Sequence, residues 1–386
     1  MVQRSCGGVN ETEDDITWDI SPHTTAKHNI LKKYIQAWAP ILGLGSNHRR
    51  FVYIDGFSGP GEYKGGEDGS PILVLKSIKG HQHSERLSKK EFVNIFIEKR
   101  KDRCENLRNV IEKRVSPVPD WIKYDVVNSD FNSEMKRILD RLESKGEELA
   151  PCFCFVDPFG WDDIDYDVLA KVMKYEKAEL LITFMAGYLE RFVWDPKHIP
   201  SIGRLYTEEQ INNIKNKERG ENLVTKYFLE NLMAKIKGSG VNGSIYDLSF
   251  ATYNRHNRLE YYLIYLTKSC KGLEVMKSAM FNSAKDGSYK FSDFEFDPNQ
   301  TTLVDYGQEQ QWIEFAADEV YKKFVSKYGT GNRIPISFFK GFVTCQSKWI
   351  FKTEILKKLE EAGRINVIAE KRRKGTFPER SFIVLN

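Results

Sequence analysis

At 386 residues the chain is too long for one ordinary domain, so two or more are expected. Hydrophobic residues make up 41%, enough for a large core, yet no stretch approaches the ~20 uninterrupted apolar residues of a membrane span, and the acidic run at 11–15 is the wrong pattern for a signal peptide, so a cytoplasmic protein with no membrane partner is expected. The net charge of +4 hides an asymmetry: residues 331–386 hold 12 Lys and Arg against 5 Asp and Glu, the remainder 46 against 49, which predicts a polyanionic partner for the C-terminal segment.

Residues 1–23 are polar and read as a flexible N-terminus. From 24 to 40, Ile30, Leu31, Tyr34, Ile35 and Trp38 recur at helical spacing, and Pro40 is expected to end the helix. A strand at 50–55 runs into a glycine-rich loop at 56–69 and a helix at 71–78. Strand 92–98, helix 102–115, a weaker strand at 121–127, helix 132–144, strand 152–157, helix 166–173 and strand 180–184 continue the alternation. The run at 152–157 is apolar throughout, as befits a strand buried on both faces. Cys152 and Cys154 within it are too constrained for a mutual disulfide, and the CxxC pairs of a metal site are missing, so buried thiols and no metal are expected. A helical insertion near 200–240, a strong strand at 261–267, a helix through Met280 and a linker at 286–308 follow. The last segment, 309–386, offers helices at 312–328, 337–343 and 352–362, the last stopped by Gly363, then two strands at 365–370 and 381–385 around a basic turn.

The residues that carry chemistry gather at strand ends. The segment Phe-Val-Tyr-Ile-Asp-Gly-Phe-Ser-Gly-Pro-Gly-Glu-Tyr at 51–63 puts Asp55 at a strand end and Gly59 and Gly61 in the bend beyond it, where a ligand can approach bare backbone. Glu98 ends the next strand, where a carboxylate can accept both ribose hydroxyls of an adenosine ligand. Asp130, past the third strand, is placed to meet the adenine amino group, and Asp157 ends the fourth. Four successive acidic strand ends point to S-adenosylmethionine, held by Asp55, Gly59, Gly61, Glu98 and Asp130, with Asp55 near its methionine end. A nicotinamide dinucleotide suits Glu98 almost as well, but the bend is GPG rather than GxGxxG, and Pro60 lacks the backbone N–H that a pyrophosphate would need.

Asp157-Pro158-Phe159-Gly160 is similar to the Asp-Pro-Pro-Tyr element of methyltransferases that modify exocyclic amino nitrogens. That likeness implies catalytic roles for Asp157, accepting from the amino group, and Phe159, stacking on a flipped base; a plain turn with Phe159 in the core is the competing reading. At the far end, Lys371, Arg372, Arg373 and Lys374 form a cationic hairpin tip suited to a phosphate backbone, with Lys348, Lys352, Lys357 and Lys358 adding to that face. His23 and His28 are placed to line the cofactor mouth, Arg191 to meet a substrate phosphate or an ordinary salt-bridge partner, and His81 and His83 read as surface residues rather than a metal pair.

The chain resembles the three-Cys-motif partner (TcmP) family over most of its length. The resemblance rests on Trp18, His28, Lys32, Tyr34 and Trp38, on Tyr53-Ile54-Asp55-Gly56-Phe57-Ser58-Gly59-Pro60-Gly61, on Gly69-Ser70-Pro71, Phe96-Ile97-Glu98 and Val156-Asp157-Pro158-Phe159-Gly160, and on Tyr262-Leu263-Ile264-Tyr265 with Met276, Lys277 and Met280. Ser58 stands where the family often has Ala. The resemblance implies a methyltransferase-like fold and a partner protein bearing a three-cysteine, radical-S-adenosylmethionine-like motif. The expected architecture is therefore α/β: a Rossmann-like S-adenosylmethionine-dependent methyltransferase domain at 24–285 and a C-terminal winged helix-turn-helix domain at 309–386. The expected function is methyl transfer to a nucleic acid, DNA or RNA, at an exocyclic base nitrogen; the alternative is a non-catalytic accessory subunit of the three-Cys-motif protein or of a defence complex.

Overall fold

The computed structural model describes residues 15–218, 222–241, 243–284, 290–292 and 306–386. The chain forms two units, one of Met1–Lys268 with Lys290–Phe296 and one of Ser269–Tyr289 with Asp297–Asn386. The first opens with α1 (Pro22–Gly45), β1 (Arg50–Asp55), α2 (Ser70–Lys79), α3 (Ser84–Leu87), β2 (Glu91–Glu98), α4 (Lys101–Arg114) and β3 (Ile122–Asn128). It continues through α5 (Phe131–Lys145), β4 (Cys152–Val156), α6 (Tyr166–Lys174), β5 (Ala178–Phe184), α7 (Ala186–Phe192), α8 (Ile199–Ile202), α9 (Glu208–Asn216), α10 (Leu223–Gly238), β6 (Tyr246–Tyr253) and β7 (Leu259–Thr267). After α11 (Cys270–Ala284), which belongs to the second unit, β8 (Lys290–Ser292) returns to the first.

Its eight strands are ordered β3-β2-β1-β4-β5-β7-β6-β8. The first five run parallel, and β7 enters antiparallel between β5 and β6. This is a doubly wound, Rossmann-like sheet whose strand order reverses between β1 and β4, and ligands of such sheets bind at the carboxyl ends beside that reversal. β4 is buried at every residue, which is why its sequence reads as an unbroken apolar run. α5 starts where the Asp130 side chain accepts from the Ser133 N–H (2.9 Å) and stops at left-handed Gly146, so both ends of that helix are written in single residues.

Several expectations change. Pro40 does not end α1, which runs five residues further; the Gln36 carbonyl that Pro40 cannot reach is taken by His81 Nε2 at 2.9 Å. β6 is a full strand that its Asp247, Ser249 and Thr252 conceal from a hydropathy reading. β8 pairs with β6 inside the segment read as a linker, and residues 286–289 and 293–305 of that segment lie outside the described residues. Residues 15–21, read as part of a flexible terminus, run across the sheet edge, with the Lys64 N–H donating to the Trp18 carbonyl at 2.9 Å; residues 1–14 lie outside the described residues.

The second unit adds α12 (Tyr306–Tyr328), β9 (Arg333–Pro335), α13 (Ile336–Gln346), α14 (Thr353–Glu361), β10 (Ile365–Ile368) and β11 (Phe382–Leu385). β9, too short to read from sequence, completes an antiparallel sheet ordered β10-β11-β9. Ile355, Leu356 and Leu359 of α14 are buried on one helix face, each worth roughly 1.5–3 kcal/mol of burial. Gly363 (φ +65°) ends that helix as expected. Lys277 of α11 donates to the carbonyls of Thr344 (2.5 Å) and Ser347 around the C-terminus of α13, and burial pushes its pKa down to about 8. Cys270 and Cys345 are joined in a disulfide, a pairing across 75 residues that spacing does not reveal, while Cys104, Cys152 and Cys154 are buried free thiols. Among the described residues no helix is long and apolar enough to cross a membrane.

Candidate active site

The strand order brings the four acidic residues into one row. Asp130, Glu98, Asp55 and Asp157 stand at the carboxyl ends of β3, β2, β1 and β4, four neighbours in the sheet. They are not equivalent. The Asp130 carboxylate is exposed and caps α5, and the Ser133 N–H holds its pKa below the usual range. The helix start therefore accounts for Asp130 without any ligand. Glu98 is buried, and each of its oxygens receives a backbone N–H, from Gly59 (3.0 Å) and Arg100 (2.7 Å). A carboxylate has about four acceptor positions, so two remain for a diol.

Asp55 is fully buried beneath the glycine bend. It accepts from the Phe57 N–H (3.3 Å) and the Tyr53 hydroxyl (3.2 Å). Burial raises its pKa to about 7; a hydrogen bond with Ser70 pulls the other way and the nearby charge of Asp157 adds to the rise. The two glycines of the bend part company. Both have positive φ, +61° at Gly59 and +88° at Gly61. A methyl group on Gly61 would lie 2.6 Å from Leu107 of α4, whereas one on Gly59 would meet only the Trp18 indole, at 3.5 Å. Gly61 is therefore required by its packing against Leu107, whereas Gly59, also buried, lies beneath the Trp18 indole with room for a methyl group.

Asp157 follows β4 directly and has a partner that sequence reasoning missed. Lys27 Nζ of α1 lies 2.5 Å from Asp157 Oδ2, with the lysine side chain 8% exposed. The same ammonium sits 5.4 Å from the centre of the Tyr261 ring, and the Tyr261 hydroxyl donates to the His23 carbonyl (3.0 Å). His28, one residue on, is buried, and burial followed by the Lys27 charge lowers its pKa to about 4, so it is neutral at neutral pH. The available signal was the placement of His23, Lys27 and His28, polar residues on the buried face of an otherwise apolar helix.

Phe159 is 48% exposed, which excludes the reading of a core residue in a plain turn. Its ring meets Trp18 edge-on at 5.9 Å, and the Arg103 guanidinium lies 4.7 Å from the Trp18 ring centre and 5.8 Å from that of Phe159. Trp18 also packs edge-on against Tyr63 at 5.8 Å. An aromatic and cationic cover thus lies over the glycine bend. Arg191, weighed as a phosphate contact, stacks on Tyr188 at 4.3 Å. His81 and His83 have their rings 5.4 Å apart, and among the described residues no group of three or more potential ligands forms a metal site.

In the second unit the basic tip is divided as well. Lys371, Arg373 and Lys374 are exposed, but Arg372 is half-buried, paired with Glu360, bonded to the Thr376 carbonyl (3.1 Å) and 5.8 Å from the Phe377 ring centre. Arg372 is thus a strut of the hairpin rather than a free cation.

No family model and no curated protein matches the sequence. Among solved structures the chain is similar to the O-methyltransferase from Bacillus cereus in complex with SAH, with 13% identity, 65% of this chain and 83% of that one covered, and a TM-score of 0.34. It is similar to the O-methyltransferase TomG from Streptomyces achromogenes, involved in tomaymycin synthesis and in complex with SAM (14%, 66% and 83%, 0.34). It is likewise similar to the SAH-bound Podospora anserina methyltransferase PaMTH1 (9%, 68% and 99%, 0.27). The fold assignment stands on the strand order itself.

Proposed function

We propose that the first unit is an S-adenosylmethionine-dependent methyltransferase acting on nucleic acid, at an exocyclic base nitrogen. The observation that carries the reading is the row Glu98, Asp55, Asp157 beside the glycine bend, at the reversal of a doubly wound sheet. The donor set fits the cofactor: Glu98 keeps two acceptor positions for ribose hydroxyls, Gly59 has no side chain of its own to obstruct a ligand that displaces the Trp18 cover, and Asp55 lies beneath the bend for the cationic end. When bound, S-adenosylmethionine supplies an electrophilic methyl group on a sulfonium. Lys27 fixes Asp157 through Oδ2 and leaves Oδ1 to accept a hydrogen of the acceptor amino group. Exposed Phe159 offers a ring for the base to stack on.

The second unit supports the substrate class. Its order of α12, β9, α13, α14 and the β10–β11 hairpin agrees with that expected of a winged helix, and Lys371, Arg373 and Lys374 at the tip suit a phosphate backbone. The test is a tritiated-methyl transfer assay on total DNA and RNA with Asp157→Asn. Transfer is expected to fall by on the order of 10²-fold or more while S-adenosylmethionine affinity by calorimetry is unchanged. Full activity in a folded variant rules the role out.

The cover of Trp18 and Arg103 over the glycine bend favours one other reading: an accessory subunit that holds its site closed until a three-Cys-motif partner, of the kind the TcmP resemblance implies, engages it. Transfer that appears only when the partner is added supports this reading.

A further inference from the structure

We propose that the turn between β6 and β7, residues 254–258, grips the phosphates of a single-stranded nucleic acid beside the acceptor position; the proposal rests on the methyltransferase reading above and adds a binding element to it. β7 runs antiparallel to β5, with Tyr262 opposite Phe184, so this turn emerges at the same sheet edge as Asp55 and Asp157. Tyr261, whose ring lies 5.4 Å from the ammonium that holds Asp157, is three residues beyond Arg258. At ~3.3 Å per strand residue, Arg258 stands roughly 10 Å along β7 from Tyr261, and β7 is separated from β4, whose end carries Asp157, by β5 alone.

The chemistry of the turn suits phosphate. Arg255, His256 and Arg258 are exposed, and among the described residues their side chains make no hydrogen bond or ion pair. Other cations of this unit are committed: Arg204 to Asp162, Lys217 to Glu190 and Lys235 to Asp167. The three basic residues and Asn257 line an open recess.

The turn is also held in shape. Asn254 accepts through its side chain from the N–H groups of His256 (3.0 Å) and Arg258 (3.1 Å), and its own N–H donates to the Arg258 carbonyl (2.9 Å). Its side-chain amide donates to buried Glu260. Asn257 supplies the left-handed residue, φ +54°. Two arginines are thus presented on a fixed frame, which lowers the ordering cost of binding.

α7 adds aromatic surface. It packs on β7 so closely that a methyl group on Gly187 would lie 1.9 Å from the Leu259 carbonyl oxygen. Just beyond it Trp194 is 62% exposed, with Lys215 Nζ 5.7 Å from its ring centre. Cations that track a backbone, interleaved with rings on which bases stack, are the means by which proteins hold single strands.

The experiment measures binding of a fluorescein-labelled oligothymidylate to the full chain by anisotropy across a salt series. It compares wild type with the double variant Arg255→Ala, Arg258→Ala and follows S-adenosylmethionine affinity in both by calorimetry. The double variant is expected to bind the strand on the order of tenfold more weakly, and its log K against log salt slope to be shallower by about 1.4, two phosphates at ~0.7 each. Donor affinity is expected to stay the same. An unchanged slope and affinity in a folded variant overturns the proposal, as does competition by inorganic phosphate as effective as that by the strand. If wild type fails to bind S-adenosylmethionine while the slope change persists, the methyltransferase reading falls and the phosphate grip stands.

Discussion

Helix α1 reaches a carboxylate twice, one half-buried and one buried. Near its start Lys27 meets Asp157 at the carboxyl edge of the sheet, and two turns on Tyr34 meets Glu179 at the amino end of β5. Glu179 accepts from the hydroxyls of Tyr34 (2.7 Å), Thr267 (2.9 Å) and Tyr265 (3.0 Å) and from the Trp38 side chain, so its roughly four acceptor positions are filled by the protein itself. At the other edge Asp55 and Glu98 are buried and Asp157 is partly so, yet each keeps acceptor capacity beside a glycine bend under aromatic cover. A buried acid saturated from within is a clasp. One left short of partners beside a backbone opening is a place for a ligand.

Glu179→Ala strands three buried hydroxyls and is expected to cost roughly 3–6 kcal/mol, read as a lower urea midpoint for the first unit. A loss below 1 kcal/mol, with donor binding gone instead, would reverse the two assignments.

Asp55 gives a smaller effect with a defined pH signature. Folding raises its pKa from 3.8 to about 7, so its contribution to stability is complete below 3.8 and is lost as pH rises through about 7. Asp55→Asn removes that loss. Its stability relative to wild type is expected to climb across this window and level off above it, in melts recorded as a function of pH. A difference that is flat with pH would mean that Asp55 titrates in the ordinary carboxylate range.

The smallest effect extends the same distinction to cations. Arg372→Ala is expected to destabilise the second unit by about 1 kcal/mol, through its lost pair with Glu360, and to leave strand affinity nearly unchanged. Replacing Lys371, Arg373 and Lys374 with Ala is expected to do the opposite in thermal melts and anisotropy titrations.

Asp55, Glu98 and Asp157 were legible in the sequence because each ends an apolar run, and a charge at that position has only the sheet edge to face. The alternation of elements likewise made the parallel half of the sheet plain. Lys27 was hidden because its role depends on a strand 130 residues away. Gly61 and Gly59 look alike as letters and differ only in what each α-carbon faces. Arg372 sits in a run of four cations, and only the return of the chain past Glu360 sets it apart. β6 escaped because its polar residues blunt the apolar run that marks a strand.

One detail of the glycine-rich segment bears on how this region can vary. Gly69 donates to the Gly61 carbonyl at 2.8 Å, Glu62 and Asp68 form a bridge, and Arg114 holds Glu62, the Gly66 carbonyl and Asp68 together. Residues 62–68 therefore close on themselves as a side loop, and the spacing between its two feet is set by these cross-ties rather than by the number of residues between them. Insertions or peptide tags spliced at Gly65–Gly66 would lengthen the loop outward and leave the stem that begins α2 in register.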